Sequence, residues 1–194
     1  MNKKIVVLDG IRTGEENLTS ILDILNAVLK ERNADVQVFS LRDMKLAHCI
    51  GCFGCWLETP GLCRFGEAGG REILQALIQS DITILFTPVV FGGYSSQLKQ
   101  IVDRFVSHVL PYFGLYNGEI HHRPRYLKFP RIVGIGVQHN PDIPEASLFK
   151  LIVGRNAINF HAPDYAAGVI GSTDDAGHLR EVFQSLITRN VSLG

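Results

Sequence analysis

The sequence predicts an α/β fold, a three-layer sandwich in which a five-stranded parallel sheet of order 2-1-3-4-5 carries helices on both faces. Two observations carry that expectation. Five short apolar runs alternate with segments whose apolar residues recur at helical spacing. The chain, at 194 residues with 46% apolar and 20% charged content, has the size and composition of one globular domain, taken as residues 1–194.

Residues 4–8 (KIVVL) form a continuous apolar run ending at Asp9 and Gly10, as expected of a strand buried on both faces. Leu18, Ile21, Leu22, Leu25, Val28 and Leu29 then give a helix face. Residues 35–41 (DVQVFSL) alternate and predict a second strand nearer an edge. Ile73, Leu74, Leu77 and Ile78 mark a short helix, and residues 81–90 (DITILFTPVV) are the strongest strand in the chain. Ser95 or Ser96 can cap the next helix, whose face is Leu98, Ile101, Val102, Phe105, Val106 and Val109. Residues 131–136 (RIVGIG) make a fourth strand. A helix over about 145–156, a strand over 165–170 and a last helix bearing Leu179, Val182, Phe183, Leu186 and Ile187 complete the pattern.

Residues 111–130, with Pro111, Pro124 and Pro130, are expected to be an irregular arm that covers the site or packs on a second subunit. Within it, His121 and His122 are expected on a surface loop, since adjacent histidines do not converge easily on a metal. Lys99 and Asp103 read as an i, i+4 pair on a solvated helix face.

Lysine plus arginine and aspartate plus glutamate balance at 19 each, which argues against a nucleic-acid partner or an anionic membrane surface. Lys3 and Lys4 precede only four apolar residues before Asp9, so no secretory signal is expected and the expected location is the cytoplasm.

All four cysteines lie in one loop at 47–66, as Cys49, Cys52, Cys55 and then Cys63. Three thiols at a spacing of three, with Gly51 and Gly54 between them, suit a tight bend that turns sulfurs inward. The run is similar to ferredoxin-type ligation, although Arg64 and not proline follows the last cysteine. Structural zinc, a cycling Cys52–Cys55 pair and free thiols stand as alternatives. Trp56 shields that loop or packs an interface.

In a 2-1-3-4-5 sheet the binding crevice lies beyond the carboxyl ends of the first, third and fourth strands. The first crevice loop, residues 10–19 (GIRTGEENLT), runs into a helix N-terminus, where Gly10, Arg12 and Asn17 suit a phosphate. A capping box of Thr13 and Glu16 is the plainer reading. The third loop includes Gln138 and His139.

The second loop carries a family resemblance. Residues 87–104 (TPVVFGGYSSQLKQIVDR) resemble the segment after the third strand in NAD(P)H-dependent FMN reductases and iron–sulfur flavoproteins, and the cysteine loop after the second strand extends the likeness over residues 4–106. The resemblance implies a flavodoxin-like fold and an FMN-dependent enzyme with NAD(P)H as co-substrate. By position, Gly10, Arg12, Asn17, Leu18 and Thr19 would face the FMN phosphate. Pro88, Val89, Val90, Phe91 and Gly92, with Gln138, would lie along the flavin ring. Cys49, Cys52, Cys55 and Cys63 would hold a cluster, with [4Fe-4S] the first candidate. No side chain is expected as a catalytic acid or base. A homodimer or homotetramer acting on a small-molecule acceptor or a redox protein is implied as well. The chain departs from the family pattern in four places. Ile11 and Leu18 stand where serine and threonine are usual, Val90 where tyrosine is common, and residues 65–69 (FGEAG) lack the acidic pair. A flavodoxin-like electron carrier without catalysis and a cofactor-free thiol sensor are the rival readings.

Overall fold

The computed structural model describes residues 2–116 and 118–188. In chain order the main elements are β1 (Lys4–Asp9), α1 (Thr19–Glu31), β2 (Asp35–Ser40), α2 (Gly54–Leu57), α3 (Ala68–Gln79), β3 (Ile82–Pro88), α4 (Ser96–Val102), β4 (Val109–Tyr116), β5 (Glu119–Pro124), β6 (Arg131–Gln138), α5 (Ile143–Asn159), β7 (Tyr165–Gly171) and α6 (Ala176–Thr188). Three short 3-10 stretches punctuate them, at Glu16–Leu18, Leu41–Asp43 and Asp103–His108.

The sheet runs β2-β1-β3-β6-β7, and every pairing is parallel. Counting sheet strands alone, this is the expected 2-1-3-4-5 order. Because strand side chains alternate, Ile5 and Val7 of β1 join one core with Ile84, Phe86, Leu25 and Phe183, while Val6 and Leu8 join the other with Leu85, Leu74, Leu98 and Phe149. One face is thus covered by α1 and α6, the other by α3, α4 and α5. The central strands β3 and β6 are buried at every position, whereas β2 is the exposed edge. Gly134 and Gly136 let α5 approach β6 closely: a Cβ at Gly134 would stand 2.5 Å from Val153 Cγ2, and one at Gly136 would stand 3.1 Å from Phe149 Cε1. No helix among the described residues is long and apolar enough to cross a membrane.

The arm at 111–130 differs from expectation. Most of it is an antiparallel β4–β5 hairpin, and residues 125–130 lie outside helix and strand. Its prolines read as breakers, but Pro111 lies where the register shifts between Val109 and Phe113, and Pro124 is the last residue of β5. Both are positions that spare the ladder a missing N–H. His121 and His122 therefore lie on a strand and not on a surface loop. His121 Nε2 meets Glu119 Oε2 at 2.8 Å and its Nδ1 meets Asn159 Oδ1 at 3.0 Å, while His122 Nδ1 meets the Leu110 carbonyl at 2.8 Å. Successive strand residues face opposite ways, so the two rings part company. Lys99 and Asp103 do form their i, i+4 ion pair.

Candidate functional site

The carboxyl ends of β1, β3 and β6 bring the three crevice loops together. Gly10 is the hinge between the first two. Its N–H donates to the Phe86 carbonyl at 2.8 Å, and its own carbonyl accepts the Ser95 hydroxyl at 2.6 Å. A Cβ there would stand 2.9 Å from both Leu98 Cβ and Ser95 Oγ. Ser95 also caps α4, accepting from the Leu98 N–H at 3.3 Å. Gly10 thus spends both backbone groups on holding the loops in place.

The rest of the first loop folds on its own carboxylates. Asp9, fully buried, accepts from the Ile11 N–H at 2.9 Å, from Ser40 Oγ at 3.1 Å and from Arg42 at 3.0 Å. Burial pushes its carboxyl up against those partners. Glu15 accepts from Arg12 Nε at 2.9 Å, from Arg12 Nη2 and from the Arg12 N–H at 3.4 Å. Arg12 holds the Glu15 carboxyl below the usual carboxylate range. Glu16 Oε1 takes the Gly14 N–H at 2.9 Å, so the Thr13–Glu16 capping box does not form. Asn17 is exposed, Leu18 is buried in the core and Thr19 begins α1 half-buried.

In the second loop Pro88 ends β3, and the Val89 N–H donates to the Val137 carbonyl at 2.9 Å. Val90 and Gly93 exchange backbone hydrogen bonds at 3.1 and 2.8 Å, which pinches Phe91 and Gly92 into a tight tip. Phe91 is 89% exposed at φ +48°. A bulky residue held in the left-handed region is uncommon, and such residues cluster at functional loops. Gly92, at φ +73°, lies against Leu148 of α5. Behind the tip, Tyr94 accepts from Asn156 Nδ2 at 3.0 Å and burial pushes its hydroxyl up to about 12.

Gln138 in the third loop turns inward. It donates to the Asp142 carbonyl at 3.1 Å and accepts from the Asp142 N–H at 3.3 Å, which fixes the turn into α5. His139 reaches the first loop, with Nε2 4.0 Å from Glu15 Oε1, and Nδ1 3.1 Å from Ser172 Oγ.

The cysteine loop leaves β2 and returns at α3, and one guanidinium ties its two ends. Arg104 Nη1 donates to Glu67 Oε1 at 2.7 Å, its Nη2 reaches Glu67 Oε2 at 3.2 Å, and Nη2 also takes the Ala47 carbonyl. Glu67 Oε2 accepts in addition from the Ala47 N–H at 3.3 Å. Trp56 anchors the middle, donating to the Val106 carbonyl at 2.9 Å and stacking on Phe53 with centroids 4.8 Å apart. Phe53 at φ +55° and Gly51 at φ +66° form the bend that precedes α2.

All four cysteines are free thiols and line one cavity of about 490 Å³, walled also by Phe53, Phe65, Val106, Arg104 and Ser107. Cys55 is buried and its thiol is pushed up, first by burial and then by the neighbouring thiols. Among the described residues no three His, Cys, Asp or Glu side chains are gathered as a single ion would need. A tetrahedral zinc site at about 2.3 Å per sulfur draws its thiolates into close contact, whereas a multi-iron cluster takes them one per iron corner around a wider body. Arg104 Nε and Ser107 Oγ, on two of the lining residues, are buried without a hydrogen-bond partner among the described residues.

Cavity and crevice share a single stretch of chain. The second crevice loop leads into α4, and the 3-10 turn Asp103–His108 that follows forms a wall of the cavity. Arg104, Ser107 and Glu15 were not singled out as site residues by the sequence. Glu15 had a signal, three residues from Arg12, but Glu67 lies 37 residues from Arg104 and nothing local announces the pair.

A family model described as NADPH-dependent FMN reductase matches residues 3–124. An iron–sulfur flavoprotein of Methanocaldococcus jannaschii is 37% identical over 102 residues, which are 52% of this chain and 51% of that one. The match therefore spans about half the length of that curated relative. Among solved structures, an NAD(P)H:quinone oxidoreductase from Methanothermobacter marburgensis superposes with a TM-score of 0.71 at 10% identity, over 98% of this chain and 100% of that one. An FMN-dependent NADH-azoreductase from Bacillus anthracis, solved in complex with FMN, gives a TM-score of 0.62 at 14% identity over 96% and 99% of the two chains. At such identities the likeness speaks for the fold, which is flavodoxin-like.

Proposed function

We propose, because this chain belongs to the NADPH-dependent FMN reductase family, that it is an FMN-dependent oxidoreductase moving hydride or electrons from NAD(P)H to a small-molecule acceptor or redox protein. One observation carries the reading: the family match over residues 3–124 takes in the first two crevice loops and all four cysteines.

The residues present fit both groups. For FMN, the Arg12 N–H and guanidinium already converge on one anion, the Glu15 carboxylate, which stands in for phosphate oxygens. Arg12 would bind the phosphate, with Glu15 as its competitor. The exposed tip at Phe91 and Gly92, backed by Val89 and Gln138, would bound the ring. Bound flavin supplies the redox chemistry, and the protein supplies orientation and exclusion of water. For a cluster, four thiols share one cavity of about 490 Å³. Cys49, Cys52, Cys55 and Cys63 would be the ligands.

The hairpin offers a surface for self-association. Leu115 and Ile120 are cross-strand partners, each 74% exposed, and the exposed Phe113 lies two residues from Leu115 on the same strand. A contiguous apolar patch of this kind marks an interface, and a homodimer or homotetramer would cover it.

The test is protein purified without oxygen, with flavin, iron and acid-labile sulfide quantified and NADH or NADPH oxidation followed with quinone, ferricyanide or oxygen. Bound FMN with turnover supports the reading. Bound FMN without turnover on any acceptor makes the protein a carrier, and no flavin even after FMN addition sinks the assignment.

A further inference from the structure

We propose that His139, on the third crevice loop, is a phosphate ligand for FMN, its Nε2–H gripping the same anion that Arg12 holds from the first loop. This rests on the FMN reading above and adds to it a side chain from outside the first loop.

The anion now held by Arg12 is the Glu15 carboxylate, 13% exposed. Arg12 binds it through its backbone N–H, through Nε and through Nη2. The oxygen that Nη2 meets, Oε1, is also the one that faces His139 Nε2 at 4.0 Å. Two loops that leave different strands, β1 and β6, therefore converge on one oxygen. The imidazole is braced from behind. Ser172 Oγ stands 3.1 Å from His139 Nδ1, and the Ser172 N–H donates to the Gln138 carbonyl at 2.8 Å, so the end of β7 fixes the third loop. A serine hydroxyl can give or take a hydrogen bond, but a carboxylate only accepts. With Nε2 turned to Glu15, the favoured arrangement has Ser172 donating to Nδ1 and the imidazole proton on Nε2.

The first loop has few donors left to offer. The N–H groups of Ile11, Gly14, Glu15 and Leu18 are committed to Asp9, Glu16, Arg12 and Glu15. A phosphate monoester carries three strong acceptor oxygens, one more than a carboxylate. The fork of a guanidinium satisfies two of them, which leaves one for a donor from another loop. At 4.0 Å the imidazole stands just beyond hydrogen-bond reach of the smaller carboxylate, where a larger tetrahedral anion would meet it.

The test is fluorescence titration of the full chain, stripped of flavin, with FMN and riboflavin as the two probes. His139→Ala is expected to weaken FMN by about tenfold, the size of one hydrogen bond to a charged group, and to leave riboflavin unchanged. His139→Gln, whose amide N–H reaches the place of Nε2, should recover most of that loss. The same loss is expected in a Glu15→Gln background. Equal FMN affinity of wild type and His139→Ala overturns the proposal. So does a parallel loss of FMN and riboflavin, which would make His139 a brace of the third loop. A loss that disappears in Glu15→Gln overturns it too, because His139 would then receive the displaced carboxylate and not the phosphate. Arg12→Ala separates this inference from the reading beneath it. FMN affinity untouched by that variant puts the phosphate elsewhere and removes both, whereas a loss with Arg12→Ala beside an unmoved His139→Ala removes only the assignment of His139.

Discussion

Glu15 accepts three hydrogen bonds from Arg12, one from its backbone N–H at 3.4 Å and two from its guanidinium. The pair closes the first crevice loop around an internal carboxylate. If Arg12 binds the FMN phosphate as proposed, the phosphate displaces that carboxylate, and Glu16 and the buried Asp9 add negative charge nearby. Glu15→Gln is therefore expected to tighten FMN by about tenfold, or about 1.4 kcal/mol. Riboflavin, lacking the phosphate, should bind both proteins alike. Fluorescence titration reads both, and equal FMN affinities would remove Glu15 from this role.

Glu67→Ala leaves the buried Arg104 guanidinium without its counter-charge. A broken buried pair costs about 3–5 kcal/mol, and the lower end is expected because Glu67 keeps some exposure. Urea unfolding measures the loss. A change below about 1 kcal/mol would mean the pair behaves as a surface salt bridge.

His108 is buried against Phe105 and Tyr126, and burial lowers its imidazole to about 4. An unfolded histidine titrates near pH 6.5. Between those values the unfolded chain takes up a proton that the folded chain refuses, so stability falls as pH drops from about 6.5 towards 4 and levels off below. The contribution at stake is about 3 kcal/mol. His108→Gln should flatten that part of the stability–pH curve, whatever its effect on stability at neutral pH.

Phe91 buries almost nothing and sits at positive φ. Phe91→Gly should then raise stability by about 1 kcal/mol, the strain of a left-handed L-residue, while weakening flavin binding. A variant both less stable and unchanged in flavin affinity would contradict the view that the strain is held for function.

Leu115→Glu combined with Ile120→Lys places an opposite-charge pair on the cross-strand site without removing the hairpin. Sedimentation should show a smaller species than wild type. An unchanged mass would leave the apolar face without this partner.

The sheet was legible because its strands are apolar on both faces and separated by helical spacing, so residues 4–8, 81–90 and 131–136 could be placed without reference to partners. A serine cap at 95 or 96 was legible too, and the structure selects Ser95. The hairpin was not, because Pro111 and Pro124 mask strands whose bulge and end accommodate them. The cysteines announced themselves by spacing, but the Arg104–Glu67 tie that closes their loop joins residues 37 apart and shows only in the fold. Long-range side-chain pairs leave no trace at the spacings that periodicity can read.

The hairpin enters the chain between β3 and β6, which are hydrogen-bonded neighbours from Ile82–Arg131 to Pro88–Val137, yet contributes no strand to their sheet. Its length can change without moving the register of β6 or the turn that Gln138 fixes. The fold thus contains a natural graft point: a segment that can be lengthened, trimmed or replaced while the parallel sheet and the turn behind it keep their register.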